Sequence, residues 1–170
     1  MLELLKYTLP ALLVSATAYF LIRAMLLREE KKLKLDVFLN NQKTITPIRL
    51  QAYERLIILL ERIHPESLIV RENHADMSNQ QLHQVLLTMI RGEFEHNLSQ
   101  QLYVSPQAWV LIKAAKESLV QLVNAEALQL VPTDSSINLS KAIIEAHMQN
   151  KKSSLDEAIA FLKEEVHSLF

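Results

Sequence analysis

Apolar positions change their rhythm along this chain. Residues 7–22 are sixteen consecutive positions without a charge, and with Arg23 and the AMLL that follows the mainly apolar run reaches twenty-one. A membrane-crossing helix needs roughly 20 such residues. A surface helix would show a polar stripe, where residues 11–22 offer only Ser15, Thr17 and Tyr19. The pattern predicts a transmembrane anchor over residues 1–27. Tyr7 and Tyr19 are expected as interface anchors, and Arg23 can extend along its own stem to the headgroups. A cleaved signal peptide is the rival, since SATA offers small residues, but the apolar part is long and its flank is bulky.

Beyond residue 27 the period becomes helical with regular breaks. Residues 28–45 read as a basic helical stalk and linker, with Glu29 and Glu30 in reach of Lys32 and Lys34. Asn40 and Asn41 are placed to end the stalk. Thr46 and Pro47 then form a cap and first helical position. The next helix carries Tyr53, Leu56, Ile57, Leu60 and Ile63 on one face. Ile58 and Leu59 fall elsewhere on it, which suits a central position in a bundle. His64-Pro65 ends it. ESLIVRENHADM is the least helical stretch, and LIV is expected as a short extended piece in a docking loop.

Ser78 caps a third helix with Leu82, Val85, Leu86, Met89 and Ile90 on one face and Phe94 near its edge. Gly92 falls mid-helix, as a kink or a close helix crossing would require. Ser105 and Pro106 start a fourth helix holding Trp109, Ile112, Leu119, Leu122 and Val123. Pro132 breaks the chain, NLSKAIIEAHMQ forms a short helix, and Ser154 with Glu157 has capping-box spacing for the last. The expected fold is all-α: a transmembrane helix continuing into a stalk, then a cytoplasmic bundle of about four to five helices over residues 46–170.

Composition sharpens this. Among 170 residues, Lys+Arg 18 against Asp+Glu 19 leaves a net charge of -1, which argues against a nucleic-acid partner. There is no cysteine, so disulfides and thiolate metal sites are excluded. A single glycine excludes a glycine-rich phosphate loop. Charge placement carries more than the sum. Arg23, Arg28, Lys31, Lys32 and Lys34 follow the apolar run, whereas Lys6 alone precedes it. That bias expects the bundle on the cytoplasmic side of a bacterial inner membrane, with the bilayer itself as one partner.

One spacing suggests chemistry. Glu61-x-x-His64, Glu93-x-x-His96 and Glu164-x-x-His167 repeat the Glu-x-x-His of di-metal carboxylate bundles, whose residues three apart share a helix face. Glu93 and His96 fall on an apolar face, whereas Glu164 and His167 fall opposite one. His64 sits at a helix terminus, where a positive imidazole has an ordinary role. A di-metal oxidoreductase using Glu61, Glu93 and His96 is therefore the alternative reading. The main one expects no metal, no cofactor and no catalytic residue. Asn73, His74 and Asp76 form a polar loop cluster able to meet a cation or a partner. Tyr53, Phe94, Tyr103 and Trp109 are the candidates for a partner contact, since aromatics dominate interface hot spots.

Two stretches, ITPIRLQAYERLIILLERIHP and EFEHNLSQQLYVSPQAWVLIKAAKE, behind the N-terminal run, resemble an uncharacterised family of single-span membrane proteins of Bacteroidota-type bacteria. The resemblance implies a topology and a bacterial source, and no activity or functional residue. The expected function is a membrane-tethered helical domain that binds or scaffolds another protein, as an accessory subunit of an inner-membrane complex.

Overall fold

The computed structural model describes residues 2–150 and 153–169, with side chains over residues 12–150 and 153–168. The described chain is helical: α1 (Leu2–Ile63), α2 (Pro65–Glu72), α3 (Asn79–His96), a 3-10 segment (Leu98–Leu102), α4 (Pro106–Leu128), α5 (Ser136–Gln149) and α6 (Ser154–Leu169). It divides into two compact units, Met1–Pro47 and Ile48–Phe170.

The first unit corrects the expectation of a span. Among the described residues no helix is long and apolar enough to cross a membrane. The charge-free run is sixteen residues, 7–22, ended by Arg23 with Arg28, Glu29 and Glu30 inside the next two turns, so it falls short of the roughly 20 residues a crossing needs. The expected anchor Tyr7 lies outside the residues whose side chains are described.

The expected break at Asn40, Asn41 and Thr46 is also absent. Helix α1 continues through Pro47 to Ile63. Proline withholds one helical amide, but no glycine lies nearby to supply a turn, and Thr44 Oγ1 donates back to the Asn40 carbonyl at 3.2 Å in helical register.

The second unit buries its apolar faces in one core. From the end of α1 come Tyr53, Leu56, Leu59, Leu60 and Ile63. From α3 come Leu82, Leu86 and Ile90, from α4 Ile112, Leu119 and Val123, from α5 Leu139 and Ile143, and from α6 Leu155, Ile159 and Leu162. Within Leu56–Leu60, Ile58 is the residue left outside, 56% exposed. The caps behave as local chemistry requires. Ser78 and Gln81 form a reciprocal capping box, and Ser105 Oγ accepts the Ala108 amide at 3.1 Å. For α6 the cap is Ser153 rather than Ser154: its Oγ accepts the Leu155 amide at 3.3 Å.

Residues 65–72 depart from the sequence reading, forming helix α2 in place of an extended piece. Pro65, Leu68 and Ile69 are buried at helical spacing while Val70 is 83% exposed. Three β-branched or leucine residues in eight gave no propensity signal, and burial against α3 and α5 decides the conformation. Gly92 also departs. A Cβ built there meets nothing within 4 Å, so no helix crosses closely at that point.

The two helix–loop–helix segments, α2–α3 and α4–α5, join at their loops. Ser78 and Ser135 form an isolated antiparallel bridge. The Asn79 amide donates to the Asp134 carbonyl at 2.8 Å, and the Ser136 amide donates to the Met77 carbonyl at 3.0 Å. Side chains extend this seam: Asn73 Nδ2 donates to Ser140 Oγ at 3.0 Å and Ser136 Oγ donates to Asn73 Oδ1 at 2.6 Å. Buried polar groups need such partners, and here they fix the register of two helical pairs.

Candidate functional site

The first unit presents the most apolar surface. Leu12, Val14, Phe20, Leu21 and Met25 are each more than 60% exposed, and Tyr19 meets Phe20 edge to face at 5.8 Å. Arg23, Arg28, Lys31, Lys32 and Lys34 are exposed on the same helix. Isolated exposed apolar residues are ordinary, but a contiguous run marks a surface that something covers.

The four aromatics expected at a contact are separated by the fold. Tyr53 is 1% exposed and belongs to the core. Among the described residues its hydroxyl makes no hydrogen bond of proper geometry, although Arg49 and Glu165 lie near it. Arg49 Nε donates instead to the Tyr103 carbonyl at 3.1 Å, and Glu165 Oε2 accepts from Ser105 Oγ at 3.1 Å. Burial pushes the Tyr53 hydroxyl above its usual range, with Arg49 pulling against it and Glu165 adding to it. Phe94 and Trp109 stack on each other, centroids 5.4 Å apart at 26°, and pack against the core half-buried. The Lys116 ammonium sits 5.0 Å from the Phe94 ring centroid, a cation–π placement. Tyr103 is the most open of the four, 39% exposed beside Leu102.

The di-metal alternative does not assemble. Glu93 and His96 line one recess with Arg62, Met89 and Gly92, whereas Glu61 lines another with His64, Glu66 and Asp156. The Glu93 carboxylate is taken by Arg62, whose Nε donates to it at 2.6 Å. Among the described residues no three His, Cys, Asp or Glu side chains converge to hold a metal. In the polar loop, Asn73 is committed to α5 through Ser136 and Ser140, while His74 and Asp76 are exposed.

Two further groupings were not legible from residue order. His83 Nε2 meets Asn124 Oδ1 at 2.8 Å between α3 and α4, at a recess also lined by Ala127, Leu128 and Pro132. His64 and His147, eighty-three residues apart, bring their Nε2 atoms to 3.2 Å. Burial holds His147 below the ordinary imidazole value, the neighbouring His64 pushes the same way, and Asp156 and Glu66 oppose them. Only the Glu61-x-x-His64 spacing drew attention to either histidine, and it pointed to the wrong partner.

The helices, their looped pairs and the polar seam define an all-helical protein with a compact C-terminal bundle. No curated protein and no solved structure matches this chain. The chain belongs to a family of unknown function (DUF7935), matched over residues 1–169.

Proposed function

We propose that this protein is a helical scaffold: the bundle of residues 48–170 recruits another protein, and the N-terminal segment keeps that assembly at a membrane. The supporting observation is the exposed apolar run from Leu12 to Leu27, more than half exposed at each large residue, with a cationic cluster directly after it. Apolar surface left in water costs about 25 cal/mol per Å², so a cover for this segment is favoured. The cations following it favour an anionic lipid surface, each contributing about 1 kcal/mol near it. Crossing of the bilayer is no part of this reading.

Placement on the cytoplasmic side of a bacterial inner membrane, as accessory subunit of a complex there, belongs to the same proposal. Holding a weak binder near its partner raises its effective concentration. The mechanism is recruitment, with no bond made or broken.

The test is photo-crosslinking in intact bacterial cells from positions 20 and 26, with fractionation of the same cells. The reading expects the chain in the membrane fraction, lipid adducts from positions 20 and 26, and, from a third probe at exposed position 103 of the bundle, a crosslink to a defined protein partner. Recovery of the full chain from the soluble fraction, with no adduct from either position, overturns it.

A further inference from the structure

The contact between His64 and His147 joins the start of α2 to the last turn of α5, whereas the Asn73 bonds join the end of α2 to the first turns of α5. His64 stands between α1 and α2, directly before Pro65, and His147 lies in the last turn of α5. Their Nε2 atoms are 3.2 Å apart. The rings meet edge to face, centroids 4.8 Å apart at 89°.

A hydrogen bond between two imidazole nitrogens needs one N–H and one lone pair. An uncharged pair satisfies this, and so does a pair carrying one added proton, whose N–H···N bond is charge-assisted. A second added proton makes both Nε2 atoms donors and sets two positive rings against each other. Uptake of the second proton therefore breaks this hydrogen bond, whichever ring took up the first.

The surroundings of the pair are identifiable. Glu61 comes from α1, Glu66 from α2, and Asp156 and Lys163 from α6, all on the recess that His64 lines. Asn150 caps α5 just after His147. Lys151 and Lys152 come next and lie outside the described residues. Burial of His147 and the neighbouring His64 resist a proton on His147, whereas Asp156 and Glu66 favour it.

We propose that the His64–His147 pair is a proton-operated latch, which holds the end of α5 on the α1–α2 junction while it carries at most one added proton and releases it when the second is taken up. Release frees the last turn of α5, so the bundle is loosened locally by mild acid and left folded elsewhere. No bond is made or broken beyond proton transfer from solvent to imidazole.

Amide hydrogen exchange on the full chain at pH 7.5 and pH 5, in the presence of a chelator and corrected for intrinsic rates, tests the latch. The expected result is at least tenfold faster exchange at pH 5 over residues 143–149, with α3 and α4 unchanged. In His64→Gln and in His147→Gln, the ratio between the two pH values for that segment should fall to near one, because glutamine takes up no proton. Imidazole NMR of the unsubstituted chain supplies a second measurement that needs no variant, with two coupled steps expected for the pair. Equal exchange at both pH values, survival of the acid effect in both glutamine variants, or two independent single-step titrations would each overturn the proposal.

Discussion

Asn79 and Leu139, sixty residues apart in the chain, are held together by the Asn79 carboxamide, whose Oδ1 accepts the Leu139 amide at 3.2 Å. The same side chain donates from Nδ2 to the Val131 carbonyl at 2.8 Å, and Asn79 is only 2% exposed. One residue in the first turn of α3 thus satisfies two backbone groups of the α4–α5 segment.

This bond gives the first prediction. Asn79→Ala should lower the unfolding free energy by about 1–3 kcal/mol, since a buried amide and a part-buried carbonyl lose their partners together. Asn79→Asp keeps an acceptor for Leu139 but loses the donor to Val131 and buries a charge, so it should be no better tolerated. Denaturant unfolding of both variants checks this. A loss below about 0.5 kcal/mol for the alanine change would show that the seam does not hold the two pairs together.

Tyr53 predicts the opposite sign. Among the described residues its buried hydroxyl makes no hydrogen bond of proper geometry, and an unsatisfied buried polar atom costs about 1–3 kcal/mol. Tyr53→Phe should leave stability unchanged or raise it by about 1 kcal/mol. A loss larger than 1 kcal/mol would mean that the hydroxyl is bonded through water.

The same tyrosine has an alkaline signature. Its folded-state value is raised above 10.0, mainly by burial, so the fold favours the neutral phenol. The corresponding stability is complete below pH 10 and is lost as pH rises through the raised value. In an absorbance titration Tyr53 should ionise above the ordinary tyrosine value and together with unfolding. Its ionisation in the folded chain at or below that value would contradict the buried placement.

Gly92 lies within α3, exposed, with open space where a Cβ would sit. Gly92→Ala should raise stability by about 0.5–1 kcal/mol, because alanine restricts the unfolded chain and costs nothing in the folded helix. A thermal melt measures this. Destabilisation would show that another part of the chain packs against that surface in solution.

The Phe94–Trp109 stack supplies an optical probe, since Trp109 is the one tryptophan. Phe94→Ala should shift its emission to the red and cost about 2–3 kcal/mol, below the 3–5 of a fully buried phenylalanine because Phe94 is only half-buried. Unchanged emission would show that the two rings do not pack in solution.

Much of the helical content could be read from residue order. Ser78 and Ser105 capped where expected, because an N-cap is satisfied within four residues and needs nothing distant. The core faces of α3 and α4 followed from their spacing, as Leu82, Leu86 and Ile90 show for the first and Ile112, Leu119 and Val123 for the second. The errors lay where two signals competed. Thr46-Pro47 offers a helix start, but the flanking residues favour helix on both sides and α1 runs through. ESLIVRE has too few residues for its propensity to matter, and burial of Leu68 and Ile69 makes it helical. Length and hydropathy suggested a span that the described helix, with Arg23 and Arg28 inside the necessary window, does not provide.

The amino-acid order alone determined that this protein is helical, poor in turns, and free of thiolate or phosphate-loop chemistry, because those properties depend on residue type and near neighbours. Only the tertiary structure decided which distant side chains meet. Asn79 reaching Leu139, Arg62 taking Glu93 away from His96, and His64 facing His147 all depend on how separate helices pack. Periodicity fixes the face a side chain occupies on its own helix, and it carries no information about which other helix that face will meet.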